Sequence, residues 1–134
     1  MGKLTAFTDG ASRGNPGEAA CGVILFDEEN EELLRRSKRL GVATNNVAEY
    51  QGVILALELA AALGAKILRV NLDSELVVKQ LNNEYKVKHP SLKPLFIEAN
   101  ELMKTFDHVE IVHVSREETK FVDKLANDEL DGKT

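Results

Sequence analysis

The chain has 134 residues, of which 43% are hydrophobic and 29% charged, a size and composition typical of one globular domain with a hydrophobic core. No apolar run reaches the roughly 20 residues that a membrane-spanning helix needs, no signal peptide is visible, and the single cysteine, Cys21, excludes an internal disulfide. The formal net charge of −5 is unusual for a domain that binds nucleic acid, because most such domains are basic. We predict a single domain over residues 1–134 in a cytoplasmic protein without a membrane partner.

The first half of the chain predicts three strands followed by a long helix. An apolar run over Leu4–Thr8 predicts a strand that ends at Asp9, and the glycine, asparagine and proline residues from Gly10 to Gly17 predict a loop. Two further strand-like runs, Ala20–Phe26 and Leu33–Leu40, have the spacing of an antiparallel hairpin. The helix follows Asn45 and Asn46, with apolar residues at helical spacing from Tyr50 to Ala61 and Gly64 at its end.

The second half predicts two strands and three helices, again from periodicity and from capping residues. In chain order they are a strand over Ile67–Leu72, a short helix capped by Ser74 and ending at Leu81, an amphipathic helix from Leu92 to Phe106, a strand over Val109–Val114, a charged loop over Arg116–Lys120 and a final helix from Phe121 to about Leu130.

This order of elements predicts an α/β fold with a five-stranded mixed sheet. Three successive strands most simply form an antiparallel meander. The two later strands are each reached through a helix, and such crossovers favour parallel pairing. Helices then flank the sheet.

Four acids fall near the predicted ends of these elements. Asp9 follows the first strand and Asp73 the fourth, so parallel pairing of the two strands would bring both carboxylates to one edge of the sheet, where open α/β sheets place ligands. Glu49 lies in the first turn of the long helix and Asp123 at the start of the last one, positions where a carboxylate also simply stabilises the helix. Clustered carboxylates repel one another unless cations intervene, and oxygen ligands suit Mg²⁺ or Mn²⁺.

The same acids change the interpretation of the net charge. They contribute −4 of the formal −5, so two bound divalent cations would bring the protein close to neutrality. A polyanionic substrate is therefore not excluded, although its binding should be weak and sensitive to salt.

The segments around the four acids resemble the motifs of type 1 ribonucleases H, in the order of that family and over nearly the whole chain. They are Thr8–Gly17 (TDGASRGNPG), Thr44–Tyr50 (TNNVAEY), Leu72–Val77 (LDSELV) and Val122–Asn127 (VDKLAN). On these motifs the chain is identified as a member of the family, in a compact form without a hybrid-binding domain. The resemblance implies a ribonuclease H-like fold and an endonuclease that cuts the RNA strand of RNA–DNA hybrids.

The resemblance also implies a set of functional residues. Asp9, Glu49, Asp73 and Asp123 would be both the catalytic residues and the ligands of two Mg²⁺ or Mn²⁺ ions bound together with substrate, and cleavage would leave 5′-phosphate and 3′-hydroxyl ends. In the family the glutamate also senses the RNA 2′-hydroxyl. The implied substrate-binding residues, whose types are equally typical of turns and caps, are Gly10, Ser12, Asn15, Thr44, Asn45 and Asn46.

Three features depart from the best-known members of the family. Ser115–Lys120 lacks the histidine that many relatives carry before the last helix, and His113 falls inside the preceding strand, where we predict packing in the core or on a sheet face. Tyr85–His89 is only modestly basic and has no tryptophan, so contact with a DNA backbone and a solvated loop are equally compatible with it. Glu75 is a fifth acid near the site, best explained as stabilising a helix N-terminus. From the missing loop histidine we predict slower turnover or an altered choice between Mg²⁺ and Mn²⁺, but not loss of activity.

Two alternatives remain open at this point. The same nuclease could also cleave double-stranded RNA, because both duplexes present 2′-hydroxyls in the minor groove. A non-catalytic nucleic-acid-binding domain of the same fold is the second alternative, and retention of all four acids argues against it. The predicted partner is therefore an RNA–DNA hybrid, with double-stranded RNA as the alternative; no obligate protein partner is evident, and a monomer is the default.

Overall fold

Five strands and four helices make up residues 2–133, the part of the chain that this computed structural model describes. In chain order they are β1 (Lys3–Gly14), β2 (Gly17–Phe26), β3 (Glu32–Ala43), α1 (Asn45–Ala62), β4 (Ile67–Leu72), α2 (Glu75–Leu81), α3 (Lys93–Met103), β5 (His108–His113) and α4 (Arg116–Leu130). Within these residues no helix combines the length and apolar character that crossing a membrane requires.

The strands form one mixed sheet in the order β3-β2-β1-β4-β5. The pairs β1–β2 and β2–β3 are antiparallel, whereas β1–β4 and β4–β5 are parallel, which confirms the predicted meander and crossovers. Pairing of β1 with β4 ends at Phe7 and Asn71, but β1 stays paired with β2 as far as Gly14 and Gly17. A gap therefore opens in the sheet beside the second half of β1, beyond the carboxyl end of β4.

The predicted loop over Gly10–Gly17 is wrong, because most of this segment continues the β1–β2 hairpin. The ladder runs without interruption to Gly14 and Gly17, so only Asn15 and Pro16 are left for the turn. Its glycines serve close packing: a Cβ at Gly10 would lie 2.7 Å from the carbonyl oxygen of Ala48. Asp9 consequently lies in the middle of β1, and not at its end.

Helices cover both faces of the sheet. On one face Gly52 of α1 packs closely over Thr8 and Cys21, and α3 covers the outer side of α1. On the other face α4 packs on β1 and β2, where the rings of Phe7 and Phe121 lie 5.3 Å apart. Cys21 is fully buried. The largest fully buried side chains are Tyr50, Leu4, Ile24, Leu25, Leu57, Leu68, Leu72, Val23, Val53, Val70, Val77 and Val122.

Two predicted helix starts need correction. The charged segment Arg116–Lys120 is the first turn of α4 and not a loop, because the Glu118 carboxylate accepts the backbone N–H of Ser115 at 3.3 Å and so caps the helix. Asp123 therefore lies inside α4. Glu49 lies in the second turn of α1, because that helix begins at Asn45. The predicted Ser74 cap and the Gly64 terminus are confirmed, the latter with φ of 80°.

Candidate active site

Four elements meet at the gap beyond β4, and each brings one acid. Asp9 lies on β1 two residues past the last β1–β4 pair, and Asp73 directly follows β4. Glu49 comes from α1 on one face of the sheet and Asp123 from α4 on the other. All four line one surface cavity of about 480 Å³. The gap in the sheet allows side chains from opposite faces to approach the same space.

Three of these acids form a close group. Carboxylate oxygens of Asp9, Glu49 and Asp73 all lie within 4.8 Å of one another. Asp9 is only 6% exposed and Glu49 only 7%, so two of the three are removed from water. Asp123 is exposed and lies outside this close group, although it lines the same cavity.

The backbone of β1 holds Glu49 in place. The N–H of Gly10 donates a hydrogen bond to Oε1 of Glu49, at a point on β1 where β4 no longer supplies an acceptor. The close packing of β1 against α1 requires glycine at position 10, since a Cβ there would lie 2.5 Å from the backbone nitrogen of Glu49 itself. The start of α1 is thereby fixed against β1.

Burial and mutual repulsion disfavour the charged forms of these acids. The pKa of Asp9 is raised well above its ordinary range, mainly by burial, then by the charge of Glu49, with Asp123 adding to the effect. Burial also raises the pKa of Glu49, while hydrogen bonds from Asp9 and Gly10 oppose that rise. Arg116 places its Nε 3.5 Å from Asp73, but its side chain is 89% exposed and therefore largely hydrated. The buried acids lack a buried counter-charge among residues 2–133.

The donor set fits a hard divalent cation. Each member of the close group offers carboxylate oxygens, the ligands that Mg²⁺ and Mn²⁺ prefer. The raised pKa of Asp9 indicates that a positive charge placed among these acids would replace a proton. Asp9, Glu49 and Asp73 could hold such a cation, with Asp123 lining the same cavity and hydrogen-bonded to Asp9.

The predicted substrate-binding residues divide between two neighbouring depressions. Gly10, Ser12 and Asn45 line the cavity that holds the acids. Asn15 and Thr44 line a smaller one of about 130 Å³ together with His89, Ser91 and Leu92. Asn46 lines both, so the first turn of α1 forms the ridge between them.

Several of these polar side chains also have partners within the protein. The hydroxyl of Ser12 lies 2.8 Å from the carbonyl oxygen of Ala43 and also contacts that of Gly14, which ties the hairpin to β3. Oδ1 of Asn15 accepts the backbone N–H of Asn45 at 3.0 Å, and Oγ1 of Thr44 accepts that of Val47 at 3.2 Å. The two acceptors cap α1 and leave the amide group of Asn15 and the hydroxyl hydrogen of Thr44 as donors.

Sequence analysis missed three residues of α4 that line the cavity. Arg116, Thr119 and Asn127 line the cavity together with Asp123, at spacings that place all four on one side of α4. A signal was available, since Ser115 and Glu118 have the spacing of a capping box. A helix predicted to begin directly after Ser115 would have placed these four residues on one side of α4.

Two other predictions near the site have different outcomes. His113 is exposed at the end of β5 and not packed in the core, and its Nε2 lies 3.3 Å from the carbonyl oxygen of Asp73. His113 is the last residue of β5, which is an edge strand of the sheet. Glu75 lies in the first turn of α2 and pairs with Lys79 at 3.1 Å, as expected for a carboxylate that stabilises a helix N-terminus.

Comparison with known proteins places the chain in a family. Residues 7–129 match a family described as reverse transcriptase-like. The chain is 42% identical to ribonuclease HI of Halobacterium salinarum over 130 residues. This aligned segment covers 97% of this chain and 65% of that protein. The crystal structure of RNase H1 from the same archaeon superimposes with a TM-score of 0.94 at 41% identity, covering 97% of this chain and 98% of that one. The chain belongs to the ribonuclease H type 1 family.

Other ribonucleases H extend the comparison. LC11-RNase H1, whose structure was solved in complex with an RNA/DNA hybrid, is 38% identical with a TM-score of 0.91, covering 96% of this chain and 97% of that one. The bifunctional protein Rv2228c of Mycobacterium tuberculosis is 42% identical over 130 residues, which are 96% of this chain. The chain spans 36% of the length of that mycobacterial protein.

Proposed function

We propose that the chain is an endonuclease that hydrolyses the RNA strand of RNA–DNA hybrids with two divalent metal ions. The observation that carries this proposal is the group of three carboxylates within 4.8 Å of one another, two of them buried. Such a group opposes folding unless cations neutralise it, so its presence in this family points to a metal-dependent reaction. The hybrid bound to LC11-RNase H1, a relative of 38% identity, supports the choice of substrate.

Asp9, Glu49, Asp73 and Asp123 would hold the metal ions, Mg²⁺ or Mn²⁺. Bound ions of this kind activate a water for attack on phosphorus and stabilise negative charge on the leaving oxygen. In the reaction the water oxygen bonds to phosphorus as the P–O3′ bond breaks, and the released 3′-oxygen takes up a proton. The products are a 5′-phosphate and a 3′-hydroxyl end.

The chain's own groups have defined tasks in this proposal. Glu49 is buried and held by the Gly10 N–H, which suits a residue that must distinguish a 2′-hydroxyl from hydrogen. The exposed side chains of Asn45 and Asn46 offer amide hydrogen bonds to sugars and bases across a minor groove. Asn15 would offer its amide in the same way from the hairpin, and Ser12 and Thr44 would help to hold a phosphate of the DNA strand.

The remaining parts of the proposal concern the whole domain. Residues 1–134 would form one catalytic domain, active as a monomer in the cytoplasm without an obligate protein partner. Size-exclusion chromatography with light scattering tests the monomer. A dimer would contradict it.

Cleavage of an end-labelled RNA–DNA hybrid in Mg²⁺ and in Mn²⁺ tests the reaction. The wild-type protein should cut only the RNA strand and leave 5′-phosphates, and Asp9→Asn should abolish the cuts. The matched control is Asp107→Asn, an exposed acid outside the cavity, which should retain full activity. A wild-type protein that cuts with neither metal contradicts the proposal, and cleavage that survives Asp9→Asn contradicts the assigned site.

Two further measurements separate the alternatives. A labelled double-stranded RNA in the same assay shows whether hybrids are the preferred substrate. Added Mn²⁺ should raise the melting temperature of the wild-type protein but not that of Asp9→Asn, because only a ligand that binds the folded state stabilises it. The absence of any shift would favour a non-catalytic domain.

A further inference from the structure

The carboxylate of Asp123 is held by a neighbour on its own helix. Nδ2 of Asn127 lies 3.2 Å from Oδ1 of Asp123 and 3.0 Å from its backbone oxygen, so it donates to both. Asp123 is exposed and lies outside the close group of acids, and its carboxylate also shares a hydrogen bond with the buried carboxyl group of Asp9. Within α4, the Asn127 amide is the donor that reaches this carboxylate.

Arg13 determines which end of the Asn127 amide faces the acid. Its Nη2 donates to Oδ1 of Asn127 at 3.2 Å and to the backbone oxygen of the same residue at 3.4 Å. A guanidinium has only donors, so it selects the oxygen end of an amide. The NH₂ end is then directed to Asp123. Rotating the amide by half a turn would set donor against donor at Arg13 and acceptor against acceptor at Asp123.

The contacts also connect the cavity to the hairpin. Arg13 precedes the β1–β2 turn and lies next to Ser12, which lines the cavity. Its Nη1 pairs with Asp131 at 2.9 Å, at the end of α4. The guanidinium therefore bridges the hairpin to α4 at two points, of which only the contact with Asn127 leads to the site.

We propose that Arg13 and Asn127 are positioning residues for Asp123: Arg13 orients the Asn127 amide, and this amide orients the carboxylate toward a divalent cation. The inference rests on the proposed function in one respect, that Asp123 is a metal ligand. Hydrogen-bonding partners of ligating carboxylates orient them, and loss of such a partner typically weakens metal binding by about 10–100-fold.

A purely structural role for Arg13 is the competing explanation, and Asp131 separates the two. The Arg13–Asp131 pair joins the same hairpin to the same helix, but with side chains 46% and 38% exposed it adds little to stability. Asp131→Ala removes this connection and leaves Asn127 and Asp123 unchanged. It is therefore the matched control for Arg13→Ala.

The experiment measures Mn²⁺ binding to the substrate-free protein by calorimetry, and the Mg²⁺ concentration that gives half-maximal hybrid cleavage. Asn127→Leu and Arg13→Ala should each weaken Mn²⁺ binding and raise the half-maximal Mg²⁺ concentration by about tenfold. Leucine favours helix more than asparagine does, so weakening of α4 would not account for the loss. Asp131→Ala should change neither quantity. The double variant should be no worse than Asn127→Leu alone, because Arg13 acts through Asn127.

Three outcomes would overturn the inference. They are wild-type Mn²⁺ binding in Asn127→Leu, equal effects of Asp131→Ala and Arg13→Ala, and additive losses in the double variant. Failure of the proposed function looks different. A wild-type protein that cleaves no hybrid, but whose Mn²⁺ affinity still depends on Arg13 and Asn127 and not on Asp131, would contradict the nuclease and support the positioning role.

Discussion

The backbone N–H of Gly10 donates a hydrogen bond to the carboxylate of Glu49, and so joins β1 to α1 at the point where β1 has lost its pairing with β4. An interior strand normally gives its N–H groups to the next strand. Here the missing strand is replaced by a side chain of the active-site cluster. The end of β1–β4 pairing therefore both opens the gap in the sheet and leaves the Gly10 N–H free to position Glu49.

Replacing Gly10 with alanine should move α1 away from β1. A Cβ there would lie 2.7 Å from the carbonyl oxygen of Ala48, and backbone atoms cannot move aside cheaply. We expect Gly10→Ala to lower the free energy of unfolding by about 1–3 kcal/mol and to weaken Mn²⁺ binding. Urea denaturation and calorimetry measure the two effects. Gly2→Ala, at an exposed glycine with room for a Cβ, is the control and should change neither.

The metal-free protein should lose stability as the pH rises. Burial, and then the charge of Glu49, raise the pKa of Asp9 in the folded state above the ordinary value of 3.8, which the unfolded chain retains. Above that value the folded state binds more protons than the unfolded state, so the free energy of unfolding falls with increasing pH. Asp9→Asn removes the contribution of Asp9 to this pH dependence. The variant should therefore be the more stable protein at neutral pH, by about 1–3 kcal/mol, and its advantage should shrink in acid.

Melting temperatures in EDTA across about pH 5 to about pH 8 test this expectation. Groups that do not contact Asp9 cancel in the difference between wild type and variant, whereas Glu49, which hydrogen-bonds to Asp9, contributes to that difference. Asp107→Asn, which changes an exposed acid, should follow the wild type throughout. A stability difference that stays constant with pH would show that the Asp9 carboxylate does not retain a raised pKa.

Arg116 should contribute to substrate affinity and hardly at all to folding. It lines the cavity with an 89% exposed side chain, so water screens its ion pair with Asp73 and the pair should contribute only about 0–1 kcal/mol. We expect Arg116→Ala to weaken hybrid binding several-fold and to lower the slope of log affinity against log salt by about one. Binding is measured in an Asp9→Asn background to prevent cleavage. Lys120→Ala removes an equally positive residue outside the cavity and should have a smaller effect.

The hydrogen bond between Tyr50 and Gln80 should be important for stability. The phenol is fully buried and donates to Oε1 of Gln80 at 2.6 Å, which connects α1 to α2. Tyr50→Phe leaves that oxygen buried without a partner, so we expect a loss of about 1–2 kcal/mol at unchanged m-value in urea. Tyr85→Phe changes a half-exposed tyrosine and should cost less than about 0.5 kcal/mol. Equal losses in both variants would contradict the role of the buried bond.

The parts of the fold that were predicted correctly depend on local signals. Ile67–Leu72 and the Ser74 cap follow from alternation and from side-chain chemistry within a few residues, and the structure has both. The loop predicted over Gly10–Gly17 was wrong because glycine has two uses, as a chain breaker and as a site of close approach. Only the packing of α1 against β1 distinguishes them here.

In the candidate site, too, contacts that depend on packing could not be predicted from local sequence signals. Asp9 and Asp73 could be placed together because parallel neighbours bring their ends to one edge. The bond from Gly10 to Glu49 could not be predicted, since it depends on where β1–β4 pairing ends. Likewise the contact between Arg13 and Asn127 joins residues that are 114 positions apart, and no local pattern indicates it.

Unequal burial of the two helices has a consequence for how the acid cluster comes apart. Nine of the 18 residues of α1 are buried, but only three of the 15 in α4. Partial opening therefore detaches α4 at a lower free energy than it disrupts α1 and the central strands. Asp123 leaves with α4, while Asp9, Glu49 and Asp73 keep their places. Divalent cations held by Asp123 together with the other three acids would therefore oppose the detachment of α4.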